Sequence, residues 1–131
     1  MKIVRQLVSL FFIGASYLTA CDPGYTEIDE TCYYISDLDA LAAFATNMGL
    51  SPDYAQVINM GTQLWDSSSS PNPGRITYWQ CSGCALLIGN IPPEVGNLTK
   101  LQRLMLNNNS FTGNIPTEIG NLTELYTLEL P

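Results

Sequence analysis

The chain has 131 residues, with five basic against twelve acidic side chains and a net charge of −7. That length suits one small domain, and an acidic surface with few cations disfavours phosphate backbones and anionic lipid heads, which argues against a nucleic-acid partner. Histidine is absent, which excludes Ser-His-Asp and Cys-His nucleophile pairs and every His-ligated metal site.

The N-terminus begins with Met1-Lys2-Ile3-Val4-Arg5, and Leu7 to Leu18 is almost wholly apolar ahead of the small residues Thr19 and Ala20. A charged start, an apolar run and small residues in that order predict a secretory signal peptide over residues 1–20. The apolar run is about a dozen residues, short of the roughly 20 a membrane-spanning helix needs, so the expectation is export without membrane insertion after cleavage. What remains carries three basic and twelve acidic side chains, a net charge of −9.

Four cysteines follow: Cys21, Cys32, Cys81 and Cys84. An even count in a small exported chain implies two disulfides. Cys21 with Cys32 and Cys81 with Cys84 is the simplest of three connectivities. The first pair would restrain the N-terminus by about 2–4 kcal/mol on the chain-entropy argument. Leu18-Thr19-Ala20-Cys21 also fits a bacterial lipobox, with a lipid anchor on Cys21; lipidation would leave Cys32 without its nearest partner. Cys81-Ser82-Gly83-Cys84 is a CxxC. A zinc ribbon would need a second CxxC, and a redox pair would need a helix starting at the motif. The residues from Ala85 to Pro92 end in Gly-Asn-Ile-Pro and start no helix. The structural reading of the pair is preferred, with a redox protein as the lesser alternative.

Residues 21–74 read as an N-terminal unit. Cys21 to Ser36 shows no sustained period and reads as a loop held at both ends. Ser36 with Asp39 matches a capping box, and Leu38, Leu41, Ala42, Ala45 and Met48 recur at helical spacing until Gly49, which predicts a helix near 37–48. Asp37 and Asp39 are read as helix-capping carboxylates, since Asp29-Glu30 and Asp37-Asp39 lack the loop of an EF-hand. A second short helix is expected within Pro52 to Gly61, with Tyr54, Val57 and Ile58 inward. Residues 67–74, rich in Ser and Pro, read as a flexible loop.

From Arg75 onward the chain repeats. A shift of 24 residues superimposes Gly89-Asn90-Ile91-Pro92 on Gly113-Asn114-Ile115-Pro116, and Gly96-Asn97-Leu98-Thr99 on Gly120-Asn121-Leu122-Thr123. Leu101, Leu104 and Leu106 fall on Leu125, Leu128 and Leu130. This Leu-x-x-Leu-x-Leu-x-x-Asn core at a period of two dozen is the leucine-rich repeat signature. A weaker first turn is read in Ile76, Trp79, Cys81 and Cys84. Leu104 and Leu106 should point inward, leaving alternate strand positions outward. Asn109 should turn inward, where an amide can both donate to and accept from backbone groups that have lost ladder partners. Ile115 should return to the core.

The repeats resemble the plant-type class of leucine-rich repeats, carried by Asn109, Phe111, Gly113, Ile115-Pro116 and Ile119-Gly120-Asn121-Leu122. The preceding region is similar to the N-terminal cap of such proteins, through Asp37, Ala40-Leu41, Phe44, Trp65 and Gly74-Arg75-Ile76-Thr77. Gly24 to Asp29, Cys32-Tyr33-Tyr34 and Ser36 to Asp39 resemble the opening of exported bacterial proteins with the same modules. The resemblance implies an α/β fold: a leucine-rich repeat solenoid at 75–131, with a short parallel sheet of two to three turns, after a small helical, disulfide-containing cap. It also implies binding of a protein, peptide or glycan on the inner face.

The reading is an exported or cell-surface, noncatalytic recognition module without cofactor or metal. Its contact candidates are Tyr78, Gln80, Gln102, Arg103, Met105, Asn107, Tyr126, Thr127 and Glu129. A surface-anchored structural or adhesive lipoprotein is the alternative. Leu122, Leu125, Leu128 and Leu130 should form an uncovered apolar end, as expected of the start of a longer repeat protein. Asn97, Asn108 and Asn121 each begin an Asn-x-Ser/Thr sequon, better explained by the repeat than by glycosylation.

Overall fold

A computed structural model describes residues 21–66, 74–84 and 87–131. The expected signal peptide lies outside the described residues, as does all of the expected flexible loop except Gly74. Cys21–Cys32 and Cys81–Cys84 both sit at disulfide distance, 2.02 and 2.06 Å between sulfurs.

Within Cys21 to Ser36 the chain forms a hairpin instead of the expected loop. Strands β1 (Tyr25–Ile28) and β2 (Thr31–Tyr34) pair antiparallel, with Tyr25 opposite Tyr34 and Ile28 opposite Thr31. The aromatic and β-branched residues here suit a pleated surface. The connection is the two-residue turn Asp29-Glu30, with φ of 48° and 64°. Such turns match strand twist but normally advertise themselves by Asn-Gly or Asp-Gly, and neither stands here.

Helix α1 (Ile35–Asn47) follows directly. Its Leu and Ala residues favour a helix, and Leu38, Ala40, Leu41, Phe44 and Ala45 are all buried. The expected capping box is not formed: Tyr34 takes the N-cap position with no side-chain capping bond. Asp37 is fully buried, where it accepts from Arg75 Nε and Nη2 at 2.9 and 2.8 Å and from the Ile76 backbone N–H at 2.9 Å. Burial pushes its carboxyl above the ordinary carboxylate value, and the Arg75 and Ile76 bonds pull against that rise. Asp39 accepts from the Tyr54 hydroxyl instead of capping the helix. Arg75 also donates to Asn97 O and Thr99 Oγ1, each at 3.1 Å, and lies over the Tyr34 ring at 4.1 Å. One guanidinium thus joins the hairpin, α1 and the first repeat turn.

The second helix shrinks to one turn, α2 (Tyr54–Val57), capped by Asp53, whose side chain accepts from the Ala55 N–H. Val57 is buried, and Tyr54 and Ile58 are half-buried against the core. Strand β3 (Thr62–Trp65) comes next, at a place where no strand was expected.

β3 pairs antiparallel with β4 (Ile76–Gln80), which pairs parallel with β6 (Arg103–Met105), which pairs parallel with β8 (Thr127–Glu129). The sheet is therefore mixed, with three parallel strands and an antiparallel edge, where a purely parallel one was expected. On the opposite side β5 (Ile88–Gly89) and β7 (Ser110–Phe111) form a second small parallel pair. Two short 3-10 helices, Pro93–Asn97 and Thr117–Asn121, occupy the same position in successive turns. Tight stacking shows at Gly96, where an added Cβ would lie 2.8 Å from Glu118 Cβ and from its carbonyl oxygen. Gly113 adopts φ +82°, and a Cβ there would meet Asn90 Oδ1 at 2.5 Å.

Ile76, Trp79, Val95, Leu98, Leu101, Leu104 and Leu106 are fully buried, and Phe44 of α1 meets Trp79 edge-to-face at 4.7 Å between centroids. The last turn differs. Ile115 is 58% exposed, although its counterpart Ile91 is 7% exposed, so it does not return to the core. Leu122 is buried at 5% and does not join the uncovered end. Leu128 is exposed, and Leu125 and Leu130 are half-buried.

Candidate functional site

Register decides which side chains leave the four-stranded sheet for solvent. Trp79 and Leu104 are fully buried, so their strand neighbours Tyr78, Gln80, Arg103 and Met105 point to the other face. The pairings align Leu64, Tyr78, Arg103 and Thr127 as one row across the four strands. Thr62, Gln80, Met105 and Glu129 form the next. Leu64 and Thr62 are exposed, and Gln63 between them turns inward to donate to Val57 O and Met60 O. These two β3 residues belong to the face and were missed in the sequence. The four-residue strand follows an Asn-Met-Gly loop and shows a pattern too short to read.

Seven of the nine contact candidates fall on these rows or continue their outward alternation. Asn107 is the one that continues it, two residues past Met105 and beyond β6, and its Oδ1 accepts a bond from Ser82. Gln102 does not belong: it precedes β6 and lines a depression of about 420 Å³ with Arg75, Thr77, Lys100 and Glu124. The backbone has not yet entered the strand there, so the side chain leaves at the sheet's end. Tyr126 likewise precedes β8, but its ring reaches back over the face. Arg103 Nε donates to Tyr126 Oη at 3.0 Å, and the guanidinium carbon lies 5.2 Å from the ring centroid. Tyr78 Oη donates to Gln80 Oε1 at 2.5 Å and lies 3.7 Å from Met105 Sδ.

Beneath this face, Asn109 Nδ2 donates to Leu106 O at 2.8 Å and Cys81 O at 2.6 Å, linking its own turn to the preceding one. Its Oδ1 is buried with no partner among the described residues, so the amide donates without the expected acceptance. Cys81 is buried and Cys84 half-buried. With Cys81 tied to Cys84, neither sulfur is a free thiol.

A larger depression of about 820 Å³ lies away from the sheet, between the end of α1 and the Ile-Pro turns, and Glu94 is its one charged lining residue among the described residues. Asn47 Nδ2 already spans it to Asn90 O at 2.7 Å. The sheet face offers the richer chemistry: aromatic, aliphatic, cationic, anionic and amide groups in fixed positions. Among the described residues no cluster of His, Cys, Asp and Glu could hold a metal ion, and no helix is long and apolar enough to cross a membrane. The sequon residues Asn97, Asn108 and Asn121 are exposed.

The parallel ladder joins segments one repeat apart in sequence, with Leu104 beside Leu128 and the Asn109 amide bridging turns. The Leucine Rich Repeat family matches residues 100–122. That match supports a leucine-rich repeat protein, from a family whose members are generally noncatalytic protein-interaction modules. The matched segment contains β6, Asn109 and β7, the elements that carry the stacking. A comparison with curated proteins gives no match.

Proposed function

We propose that this chain is an exported, noncatalytic recognition module of the plant-type repeat class, folded as a cap at 21–74 and a solenoid at 75–131. Its outward sheet face takes a protein, peptide or glycan. The observation that carries this reading is the pair of cross-strand rows, Leu64-Tyr78-Arg103-Thr127 and Thr62-Gln80-Met105-Glu129, which present side chains of mixed chemistry on a rigid ladder. Sites on strands hold their groups more firmly than sites on loops.

Export is supported by the two cysteine pairs, which suit a compartment where thiols are oxidised. A thioether lipid on Cys21 would need the same sulfur that meets Cys32, so free secretion is favoured over a lipid anchor. Mass spectrometry of the mature N-terminus distinguishes them: an unmodified Cys21 in a disulfide is expected, and a diacylglyceryl adduct would overturn it.

The binding role is tested with protein, peptide and glycan arrays probed with the full chain. Tyr126→Ala or Tyr78→Ser should lower affinity about tenfold or more, as loss of an aromatic anchor does, with thermal unfolding unchanged. Binding that ignores both substitutions would place the site elsewhere.

A further inference from the structure

The described residues contain three cations, and two are committed. Arg75 is paired with Asp37 at 2.8 Å, and Lys100 with Glu124 at 2.5 Å. Arg103 is exposed on the outward sheet face and makes no ion pair with a described carboxylate. It is nevertheless not loose. Its Nε is bound to Tyr126 Oη at 3.0 Å, which fixes the plane of the guanidinium and leaves the edge formed by its two terminal nitrogens open. That edge matches a carboxylate with two parallel hydrogen bonds. Beside it in the same row stand Tyr78 and the 57% exposed Leu64, one and two strands away, about 5 and 10 Å at ordinary strand spacing. Alternate side chains of an extended peptide recur every roughly 7 Å, so neighbouring positions can reach the cation and the apolar pair together.

Taking the outward sheet face as the binding site, we infer that Arg103, held by Tyr126, anchors an acidic side chain of an extended peptide whose apolar side chain two positions away rests on Tyr78 and Leu64. Charge complementarity selects this occupant. The chain beyond residue 20 carries −9, and Glu129 stands in the neighbouring row, so repulsion grows with every added negative charge, and Arg103, without an ion pair to a described carboxylate, offsets a single carboxylate but not a polyanion. Leu64 and Met105 offer aliphatic contact, which suits peptide side chains.

The test is selection from a displayed random peptide library on the full chain, followed by resynthesis of the recovered peptides with acetylated and amidated ends, so that only a side-chain carboxylate can answer. Recovered peptides should carry one Asp or Glu close to a large apolar residue. Changing that acid to its amide should weaken binding to the unsubstituted protein about tenfold, the scale of an exposed charge-assisted contact. Arg103→Gln should bind acid and amide forms alike, and Arg103→Lys should recover part of the difference, with thermal unfolding unchanged in both. Equal loss on Arg103→Gln, or selection with no acidic preference, overturns the inference. If such peptides still lose affinity in Leu64→Ser and Tyr78→Ser, the sheet-face reading survives that failure. Recovery of no peptide overturns the inference and leaves the sheet face to a protein or glycan, whereas binding indifferent to Leu64 and Tyr78 overturns both.

Discussion

Two side chains show how a polar group is made tolerable inside or against this fold. Asn109 points its Nδ2 at the carbonyls of Cys81 and Leu106 and so closes backbone groups of two successive turns. Because the amide serves as a donor, Asn109→Asp should be worse than Asn109→Leu. Leucine strands the carbonyls, at about 1–3 kcal/mol for each unsatisfied group, and aspartate adds a carboxylate facing them. Denaturant unfolding of the two variants measures the order, and a milder loss for aspartate would mean that the side chain turns to water. Tyr54 is a surface counterpart. Its hydroxyl donates to the Asp39 carboxylate, which raises its ionisation from 10.0 to about 12. The folded state thus holds this proton more tightly than the unfolded chain does. The contribution to stability is fully present below pH 10 and is lost as pH rises from there to about 12. NMR titration of the tyrosine rings should show the Tyr54 midpoint return towards 10 in Asp39→Ala; an unmoved midpoint would assign the shift to something else.

At the scale of elements, repeat position alone does not decide what a residue must be, because its neighbour in the stack also matters. Gly96 and Gly120 are equivalent by the 24-residue shift, but a Cβ at Gly96 would press on Glu118 at 2.8 Å, and one at Gly120 meets nothing within 4 Å. Gly96→Ala should therefore cost about 1–3 kcal/mol through forced displacement of backbone. Gly120→Ala should be neutral or stabilise by up to about 1 kcal/mol, through the smaller entropy of its unfolded chain. Thermal unfolding compares them, and equal effects would contradict the stacking. The period that aligns these glycines is also why the repeats were legible: leucines at fixed spacing report burial directly, and Leu101, Leu104 and Leu106 are fully buried. The segment before them has no such period. Its hairpin turns through Asp29 and Glu30 without a glycine, and β3 is four residues long with its aliphatic Leu64 facing out. Asp37 meets Arg75 across 38 positions, so local logic reads it as a helix cap when its partner stands just ahead of β4. The outward candidates on β4, β6 and β8 followed from alternation, whereas Leu64 and Thr62 required the pairing of β3 with β4.

For the molecule as a whole, the stack has two kinds of layer among the described residues: one covered on both sides, the other on one. Leu104 is flanked by β4 and β8 and is fully buried, while Leu128, its partner in register on β8, is 41% exposed. Ile91 and Ile115 repeat the contrast at 7% and 58%. In repeat architectures each layer is stabilised by its neighbours, so the same residue type at the same repeat position should carry unequal weight. Leu104→Ala removes a side chain packed on all sides and should cost about 2–5 kcal/mol, the range for large-to-small changes in a core. Leu128→Ala in residues 21–131 should cost well under that, because part of the side chain already meets water and the gap it leaves can fill. Both residues are exposed apolar surface, so Ile115→Glu with Leu128→Glu should reduce both apolar-dye binding and self-association without unfolding the chain. Equilibrium unfolding and sedimentation read these effects separately. Equal losses at Leu104 and Leu128, with no dye-accessible surface, would show that another layer covers β8 in solution, and the unequal weighting argued here would then fail.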